Sequence, residues 1–343
     1  MNIRTVMLLL GVICSSNIFA QKQHRVIAIG SYNCENLFDV IDDPAKKDED
    51  FTPDGPYHYT EEVYKQKLHN IATVISSIGT DVTADGAAIV GLVEIENDHV
   101  LNDLVQQAEI KNRQYKYCWF PTPDVRGISI AMLYSPKYFS VLEAHSVHVP
   151  LESLGQHRPT RDILVVSGIL AGDTVHVLVN HWPSKSGGES ASAPGRRLAA
   201  TTVKGIVDSL TKADANSKVL IMGDFNDNPT SDGIANVLQT KAEKAQVELT
   251  DIYNPWIKMY KKGVGTEIYQ GEWNLIDQIM MSGSLLKNNN NKWKFYNAEI
   301  YNKAFLTNKI GKDKGLPHRS FTINSNWDNG YSDHFPVLIY LVD

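Results

Sequence analysis

Cysteine is scarce in this chain of 343 residues, which has only Cys14, Cys34 and Cys118. No CxxC pair and no cluster of cysteine with histidine occurs in the sequence, which argues against a structural zinc site. Cys14 lies in an N-terminal segment that we expect to be removed. Cys34 and Cys118 then remain, and the sequence leaves open whether they pair, because pairing depends on the distance between their Cα atoms.

The chain also lacks long apolar runs and an excess of positive charge. Beyond the N-terminus no stretch is apolar for long enough to span a bilayer, so we expect no stable membrane insertion. The 33 basic and 39 acidic residues give a net charge of −6, which argues against tight, non-specific electrostatic binding of nucleic acid. An enzyme that meets phosphate through a local basic groove and a bound cation remains compatible with this charge.

The first 20 residues have the pattern of a signal peptide. A positively charged start precedes an apolar run over residues 6–12, and Ile18-Phe19-Ala20 fits a cleavage site before Gln21. The alternatives are a buried N-terminal helix and lipidation at Cys14, the latter less favoured because the residue before the cysteine is a poor match. The sequence therefore predicts export to the periplasm or the cell exterior.

Residues 21–343 are expected to form a single domain, because no internal repeat or linker divides them. Apolar residues at helical spacing predict helices over 60–78 and 196–210. Since many short strands follow one another without regular intervening helices, a purely parallel barrel is disfavoured. No feature indicates an obligate protein partner. The predicted strands are 25–32, 87–93, 128–134, 163–170, 174–179, 219–222, 275–281 and 335–341.

Polar residues follow several of these strands at the point where the apolar run ends. Taken alone, any one of these polar residues is more simply explained as part of a turn or as a cap. Together they supply carboxylate and amide oxygens suited to Mg²⁺, Mn²⁺ or Ca²⁺, and histidines that titrate near neutrality. Those groups match the needs of hydrolysis at phosphorus. The strand-end residues are Asn33, Glu94, Asn180, His181, Asp224, Asn226, Asp277, Asp333 and His334.

Six segments occur in a characteristic order: SYNCENLFD (31–39), GLVEIEN (91–97), VNHWPSKSGG (179–188), MGDFNDNP (222–229), LIDQIM (275–280) and YSDHFPV (331–337). Together they resemble the motifs of the endonuclease/exonuclease/phosphatase superfamily, over residues from about 25 to the C-terminus. The resemblance implies the DNase I-like fold. This fold is an α/β four-layer sandwich, in which two packed mixed β-sheets are flanked by helices.

The resemblance also implies a metal site. Glu94 corresponds to the main metal-binding carboxylate, with Asn33 beside it and Asp333 as a further carboxylate near the metal. Glu35 can add a second ligand or hold a metal-bound water. Mg²⁺ is the expected ion, with Mn²⁺ or Ca²⁺ as alternatives.

Catalytic roles are carried over in the same way. Asp224 and Asn226 resemble the pair that orients the attacking water or the scissile phosphate, and His334 resembles the histidine paired with Asp277. Either His334 or Asp224 activates the water, and the resemblance leaves both open. His181 matches a second histidine that stabilises the transition state or protonates the leaving oxygen.

Substrate contacts are predicted for Asn180 beside His181 and for the basic residues Arg126, Arg161 and Lys185, although a solvated surface is the alternative for each basic residue. Trp182 and Trp273 can stack on bases or lie in the core. The segments 126–134, 158–164 and 265–282 resemble an exported bacterial subgroup related to extracellular nucleases. Asp227 and Asn228 stand where the inositol-phosphatase branch has an arginine, which weighs against that branch.

The sequence therefore predicts a secreted, Mg²⁺-dependent phosphodiesterase that hydrolyses DNA or RNA by in-line attack of water. A phospholipase C or sphingomyelinase-like enzyme and a sugar-phosphate phosphatase are alternatives on the same scaffold. A catalytically silent binding module is a third possibility, which the intact set of site residues disfavours.

Overall fold

A computed structural model describes residues 24–156, 158–287 and 293–343 of the chain. The predicted signal peptide, residues 1–20, lies outside these ranges. Within them, no helix combines the length and the apolar character needed to cross a bilayer.

Fourteen strands and four α-helices make up the regular structure of the described ranges. The helices are α1 (Glu61–Ser77), α2 (Asp98–Val105), α3 (Glu189–Ala213) and α4 (Trp256–Tyr260). The strands are β1 (Val26–Leu37), β2 (Ala87–Ile95), β3 (Lys116–Trp119), β4 (Ser129–Tyr134), β5 (Phe139–Val147), β6 (Ile163–Leu170), β7 (Asp173–His181), β8 (Lys218–Asp224), β9 (Ile252–Tyr253), β10 (Glu267–Tyr269), β11 (Glu272–Asn274), β12 (Asp277–Ser282), β13 (Lys294–Ile300) and β14 (Val337–Val342).

The strands form two six-stranded mixed sheets and one short hairpin. The first sheet has the order β13-β14-β1-β2-β4-β3, and the second has the order β5-β6-β7-β8-β12-β9. Each sheet contains one parallel pair, β1 with β2 and β7 with β8, and its other neighbours are antiparallel. Strands β10 and β11 form the separate hairpin.

Alternate residues of the central strands fill the space between the two sheets. Ile27 and Ile29 of β1 share one buried apolar cluster with Leu220 and Met222 of β8. Because successive side chains of a strand point to opposite faces, the other residues of these strands point to the outer face of each sheet, where another layer has to bury them.

Helices provide that outer cover. Ala28 of β1 lies in a buried cluster with Leu68 and Ile71 of α1, and Ile221 of β8 lies in another with Val203 of α3. The layers are therefore helix, sheet, sheet and helix, which confirms the predicted α/β four-layer sandwich. Cover on both faces also explains why the central strands are continuous apolar runs rather than alternating ones.

The two cysteines of the described ranges are free. Cys34 belongs to the buried cluster under α1 and α2, whereas Cys118 packs against the cluster between the sheets. They thus lie on opposite faces of the first sheet. The pairing that the sequence left open does not occur in this structure.

Some predicted elements have different limits, and others were missed. Helix α3 begins at Glu189 rather than at the predicted residue 196. The helix includes Pro194 in its second turn, where the proline removes one intrahelical hydrogen bond. Strand β5 has no apolar run to reveal it. It lies at the edge of the second sheet, and most of its side chains are exposed or half-buried.

A buried ion pair fastens α3 to the loop that follows β8. The Arg196 side chain is fully buried, and its Nε donates to Asp227 Oδ1 at 2.7 Å. Burial raises the pKa of Asp227 to about 6, although the nearby Arg196 acts in the opposite direction. The next residue, Arg197, is mostly exposed and pairs with Asp232 at the surface.

These adjacent arginines allow a matched test of what holds α3 in place. We expect Arg196→Met to lower the free energy of unfolding by about 3–5 kcal/mol, because it leaves Asp227 buried without a partner. Arg197→Met should cost less than about 1 kcal/mol, since exposed pairs contribute little. Urea unfolding of both variants measures the difference, and equal losses would contradict a structural role for the buried pair.

Candidate active site

The strand-end residues predicted from the sequence come together at one edge of the sandwich. His181 is the last residue of β7 and lies opposite Asp224, the last residue of the parallel strand β8. Asp277 opens the antiparallel strand β12 and lies opposite Asp224 from the other side. From the first sheet, Asn33 of β1 and Glu94 of β2 reach the same edge through their parallel pairing.

Asp224 lies at the centre of this group and is almost fully buried. Its Oδ2 accepts a hydrogen bond of 3.1 Å from Asn33 Nδ2, which joins the two sheets directly. Its Oδ1 accepts the backbone N–H of Asn226 at 2.8 Å, and His181 Nε2 lies 3.7 Å from Oδ2. The carboxylate is therefore held from three sides.

Asp277 and His334 form a buried dyad beside Asp224. The distance between Asp277 Oδ2 and His334 Nδ1 is 2.7 Å. The other oxygen, Asp277 Oδ1, is buried and has no hydrogen-bond partner among the described residues. One ligand atom from each of Asp224, Asp277 and His334 lies within 4.8 Å of the others, so this cluster has the composition and spacing of a possible metal site.

Glu94 faces the same space from the first sheet. Its Oε2 accepts the backbone N–H of Asn36 at 2.8 Å, while its Oε1 lies 3.8 Å from His181 Nε2. The backbone of Glu94 is left-handed, with φ +64°, and Asn226 has φ +49°. Such conformations are unfavourable for residues other than glycine and persist where the surrounding structure fixes a side chain in one direction.

The pKa values of the three central titratable groups move in different directions. Burial, and then the charge of Asp277, raises the pKa of Asp224 to about 7. Burial opposes protonation of His334, but Asp277 and Asp333 outweigh it and hold the His334 pKa well above its usual value. Burial, with Arg161 and Arg126 nearby, holds the pKa of His181 well below its usual value.

Asp333, predicted as a metal-proximal carboxylate, lies at the rim of the dyad. Its Oδ1 lies 3.7 Å from His334 Nε2, and its Oδ2 accepts a hydrogen bond of 2.9 Å from Arg319 Nη2. Glu35 lies behind it, where its Oε2 accepts the backbone N–H of Ser320 at 2.6 Å. One oxygen of Asp333 is therefore engaged by a cation, which makes it a weaker candidate ligand than Glu94.

Two of the residues predicted to contact substrate are buried, and their predicted roles are corrected. The Asn180 amide is fully enclosed, where it donates to the carbonyl of Leu178 and accepts from Trp182 Nε1. Arg161 is 6% exposed and donates to Asp124 and to the Trp182 carbonyl. Both side chains hold the segment after β7 in place through these hydrogen bonds, although the buried Nε of Arg161 has no hydrogen-bond partner among the described residues.

The other residues predicted to contact substrate, Lys185 and Arg126, lie at the edge of the site. Lys185 and Arg126 are both partly exposed, and Arg126 Nε lies 3.8 Å from Asp124. Trp182 is 1% exposed and packs edge-on against Phe225, as the core alternative predicted. Trp273 is half-buried and stacks on Phe335 beside the dyad.

Sequence reasoning missed Ser332, Arg319 and the β10–β11 hairpin. Ser332 Oγ donates to the Asn33 carbonyl at 2.8 Å and accepts the His334 N–H at 3.0 Å, so it ties β1 to the histidine. The hairpin is anchored by an antiparallel bridge between Glu267 and His334. The SDH motif contained the signal for Ser332, whereas Arg319 stands in a segment with no recognisable pattern.

The hairpin separates two open clefts. The first cleft, of about 460 Å³, is lined by Lys185, Gly187, Asn226, Tyr269 and Asn274, among others. The second cleft, of about 580 Å³, is lined by Gln270, Lys312, Arg319, Asn324 and Asp333, among others. Asn226 lines the first cleft and Asp333 lines the second, so each cleft adjoins one residue of the candidate site.

Solved structures of low sequence identity share this fold. TDP2 from D. rerio complexed with single strand DNA product is 12% identical, with a TM-score of 0.53 over 92% of this chain and 98% of that one. The mannosyl-6-phosphatase Bt3783 of Bacteroides thetaiotaomicron is 15% identical, with a TM-score of 0.53 over 92% and 100%. The human Nocturnin catalytic domain with bound sulfate is 12% identical, with a TM-score of 0.51 over 93% and 96%.

No curated protein matches the chain in sequence. The model of the Endonuclease/Exonuclease/phosphatase family, by contrast, matches residues 28–343, which include every site residue described above. The chain therefore belongs to the endonuclease/exonuclease/phosphatase family of metal-dependent phosphoric ester hydrolases.

Proposed function

We propose that this protein hydrolyses phosphodiester bonds of nucleic acid by direct attack of water, with Mg²⁺ as its ion and Mn²⁺ or Ca²⁺ as alternatives. The observation that carries the proposal is the convergence of Asp224, the Asp277–His334 dyad, His181 and Glu94 at one strand edge. Groups on rigid strand ends are preorganised for chemistry.

The donor set fits a hard divalent cation. Carboxylate and amide oxygens predominate, and the buried Asp277 Oδ1 has no hydrogen-bond partner among the described residues. Glu94 and Asn33 would hold the ion, with Asp224, Asp277 and His334 as a second possible set. When bound, the ion supplies charge neutralisation at the phosphoryl oxygens.

The shifted pKa values favour one division of labour among the protein groups. Asp224, with a pKa of about 7, takes the proton from the attacking water as the new oxygen–phosphorus bond forms. His334 retains its proton near neutral pH and can pass it from Nε2 to the leaving oxygen as the old bond breaks. His181 stays neutral and stabilises the phosphoryl oxygens through a hydrogen bond from Nε2.

The two clefts support a diester rather than a monoester as the substrate. A diester continues on both sides of phosphorus, and the reaction centre has open space on both sides of the β10–β11 hairpin. The single strand DNA product in the complex of TDP2 supports nucleic acid as the class of substrate. The mannosyl-6-phosphatase of the same fold keeps a sugar phosphate as the second candidate.

Substitution of the central carboxylate and of the dyad tests the proposed reaction. Asp224→Asn and His334→Ala should each lower kcat on single-stranded DNA and RNA at least about a hundredfold, because each removes a proton-transfer group. EDTA should abolish the wild-type activity. Circular dichroism and urea unfolding establish that the variants fold, and the surface variant Lys212→Ala serves as the control. Near-wild-type turnover by either variant contradicts the assigned roles.

The same assignment predicts a pH dependence. Asp224 must be deprotonated to accept a proton, so kcat/KM should rise with pH and level off above the Asp224 pKa, which is about 7. Since a bound divalent cation lowers the pKa of a nearby carboxyl, the acid limb should lie at pH 7 or below. A profile with bis-p-nitrophenyl phosphate measures it, and a rate that falls with rising pH over this range argues against Asp224 as the base.

Export also remains a proposal, supported by the sequence of residues 1–20. Expression of the full chain in a Gram-negative host should give a mature protein that begins at Gln21 in the periplasmic or extracellular fraction. N-terminal sequencing checks the cleavage site, and uncleaved protein in the cytoplasm would contradict it.

A further inference from the structure

An exposed loop that lines the second cleft has a positive net charge, although the whole chain has a net charge of −6. Residues 308–316 contain three basic residues, Lys309, Lys312 and Lys314, and one acidic residue, Asp313, which gives a local net charge of 3 − 1 = +2. The reaction centre itself is rich in carboxylates. Positive charge next to such a centre can attract an anionic ligand.

The loop is ordered by its own backbone rather than by ion pairs. The backbone N–H of Asn308 donates to the Leu316 carbonyl, and that of Gly315 donates to the Asn308 carbonyl, both at 2.9 Å. An antiparallel bridge between Thr307 and Pro317 closes its base. We call residues 308–316 the lysine loop.

The three lysines of this loop are exposed and available to a ligand. Every residue from 309 to 315 is exposed. Within the described parts of the chain, Lys309, Lys312 and Lys314 form no ion pair. The lysine loop therefore presents uncompensated charge.

The second cleft connects the lysine loop to the reaction centre. Lys312 and Asp333 both line this cleft, and Asp333 Oδ1 lies 3.7 Å from His334 Nε2. Arg319, which lines the cleft as well, is 40% exposed and pairs with Asp333. A chain that leaves the scissile phosphate on this side would enter the cleft first and reach the lysines next.

The cleft has the size and lining of a site for one nucleotide. Its volume of about 580 Å³ falls within the usual range for small-ligand sites. Amides of Gln270 and Asn324 can form hydrogen bonds with base edges, while Ile323 and Leu316 offer apolar surface to the base plane. The charged residues of the lining are Lys312, Arg319, Asp313, Asp328 and Asp333. A base pair within a duplex cannot enter such a cleft without unstacking, so a single strand fits better.

We infer that the second cleft binds the nucleotide next to the scissile phosphate of a single-stranded nucleic acid, and that the lysine loop binds the phosphates beyond it. The inference rests on the proposed function and adds the substrate form and the residues that select it. An anionic membrane is the competing partner for a basic loop that carries the exposed Ile310. The cleft favours the nucleic acid, because a membrane surface has no use for a nucleotide-sized recess lined by amides.

Charge reversal of the loop is the principal test. The triple variant Lys309→Glu, Lys312→Glu, Lys314→Glu is compared with Lys111→Glu, Lys116→Glu, Lys212→Glu, which makes the same change in net charge. The control lysines are also exposed and unpaired within the described chain. In the strand register Lys116 of β3 lies opposite Tyr134, at the end of β4 far from the site. Lys212 lies in the last turn of α3, whereas the start of this helix borders the first cleft.

Kinetics on a short single-stranded oligonucleotide should separate the two triple variants. The loop variant should raise KM about tenfold or more at roughly 0.1 M salt with little change in kcat, whereas the control should stay near wild type. The slope of log(kcat/KM) against log salt should shrink by about 2, since each phosphate contact to a single strand contributes about 0.7. Equal effects from both variants, or none from the loop variant, overturn the inference.

A second variant tests the cleft. Asn324 is exposed and lines the cleft, so Asn324→Trp fills the space without disturbing the core. It should lower kcat/KM for the single strand toward the value for the matching duplex. No change in the preference for single strands contradicts a nucleotide in the cleft.

Two further measurements distinguish this inference from the proposed function. Hydrolysis of bis-p-nitrophenyl phosphate reports on the reaction centre, because that diester is too short to reach the lysine loop. Fluorescence anisotropy of a labelled oligonucleotide in EDTA reports on binding without turnover. Binding that depends on the loop in a protein that hydrolyses neither substrate would overturn the proposed function alone. Loop-dependent binding to phosphatidylserine vesicles, with oligonucleotide binding unchanged, would overturn the inference in favour of a membrane.

Discussion

The hydrogen bond from Asn33 Nδ2 to Asp224 Oδ2 is the contact on which the site depends, because it joins the two sheets at their catalytic edge. Apolar packing between the sheets sets their distance but does not fix one sheet against the other along the edge. A buried hydrogen bond between two side chains does so, because its length and direction are both restricted. Ser332, which bonds to the Asn33 carbonyl and to the His334 N–H, extends the same restraint to the dyad.

The second constraint is electrostatic. Three carboxylates, Glu94, Asp224 and Asp277, converge in one space, where burial and then the charges of Asp277 and Glu94 raise the pKa of Asp224. Burial lowers the pKa values of two cations, Lys67 and Arg161, while the nearby charge of Glu94 acts in the opposite direction on both. They are bound to Ser320 and Asp124 and cannot move into the site, so the remaining negative charge is available to a bound cation.

The sequence predicts the fold and the centre of the site well because both depend on strand interiors and strand ends. Continuous apolar runs mark the covered strands, and polar residues such as Asp224 and Asp277 mark where they stop. Burial is harder to predict, because it depends on contacts between distant segments. Asn180 and Arg161 have the residue types of substrate contacts, yet the segment after β7 encloses both. Arg319 was missed because an isolated arginine in a loop has no periodic neighbours.

Substrate choice depends on the least predictable part of the chain. The candidate site is held by strands that any hydrolyser of phosphoric esters on this scaffold can share, whereas the β10–β11 hairpin and the lysine loop line the clefts beside it. Net charge is a poor guide for the same reason. A total of −6 describes the whole surface, but a polyanion meets only the face that it approaches, and within a Debye length of about 10 Å it responds to local charge. An acidic protein can therefore bind an acidic polymer where it concentrates its lysines on one loop.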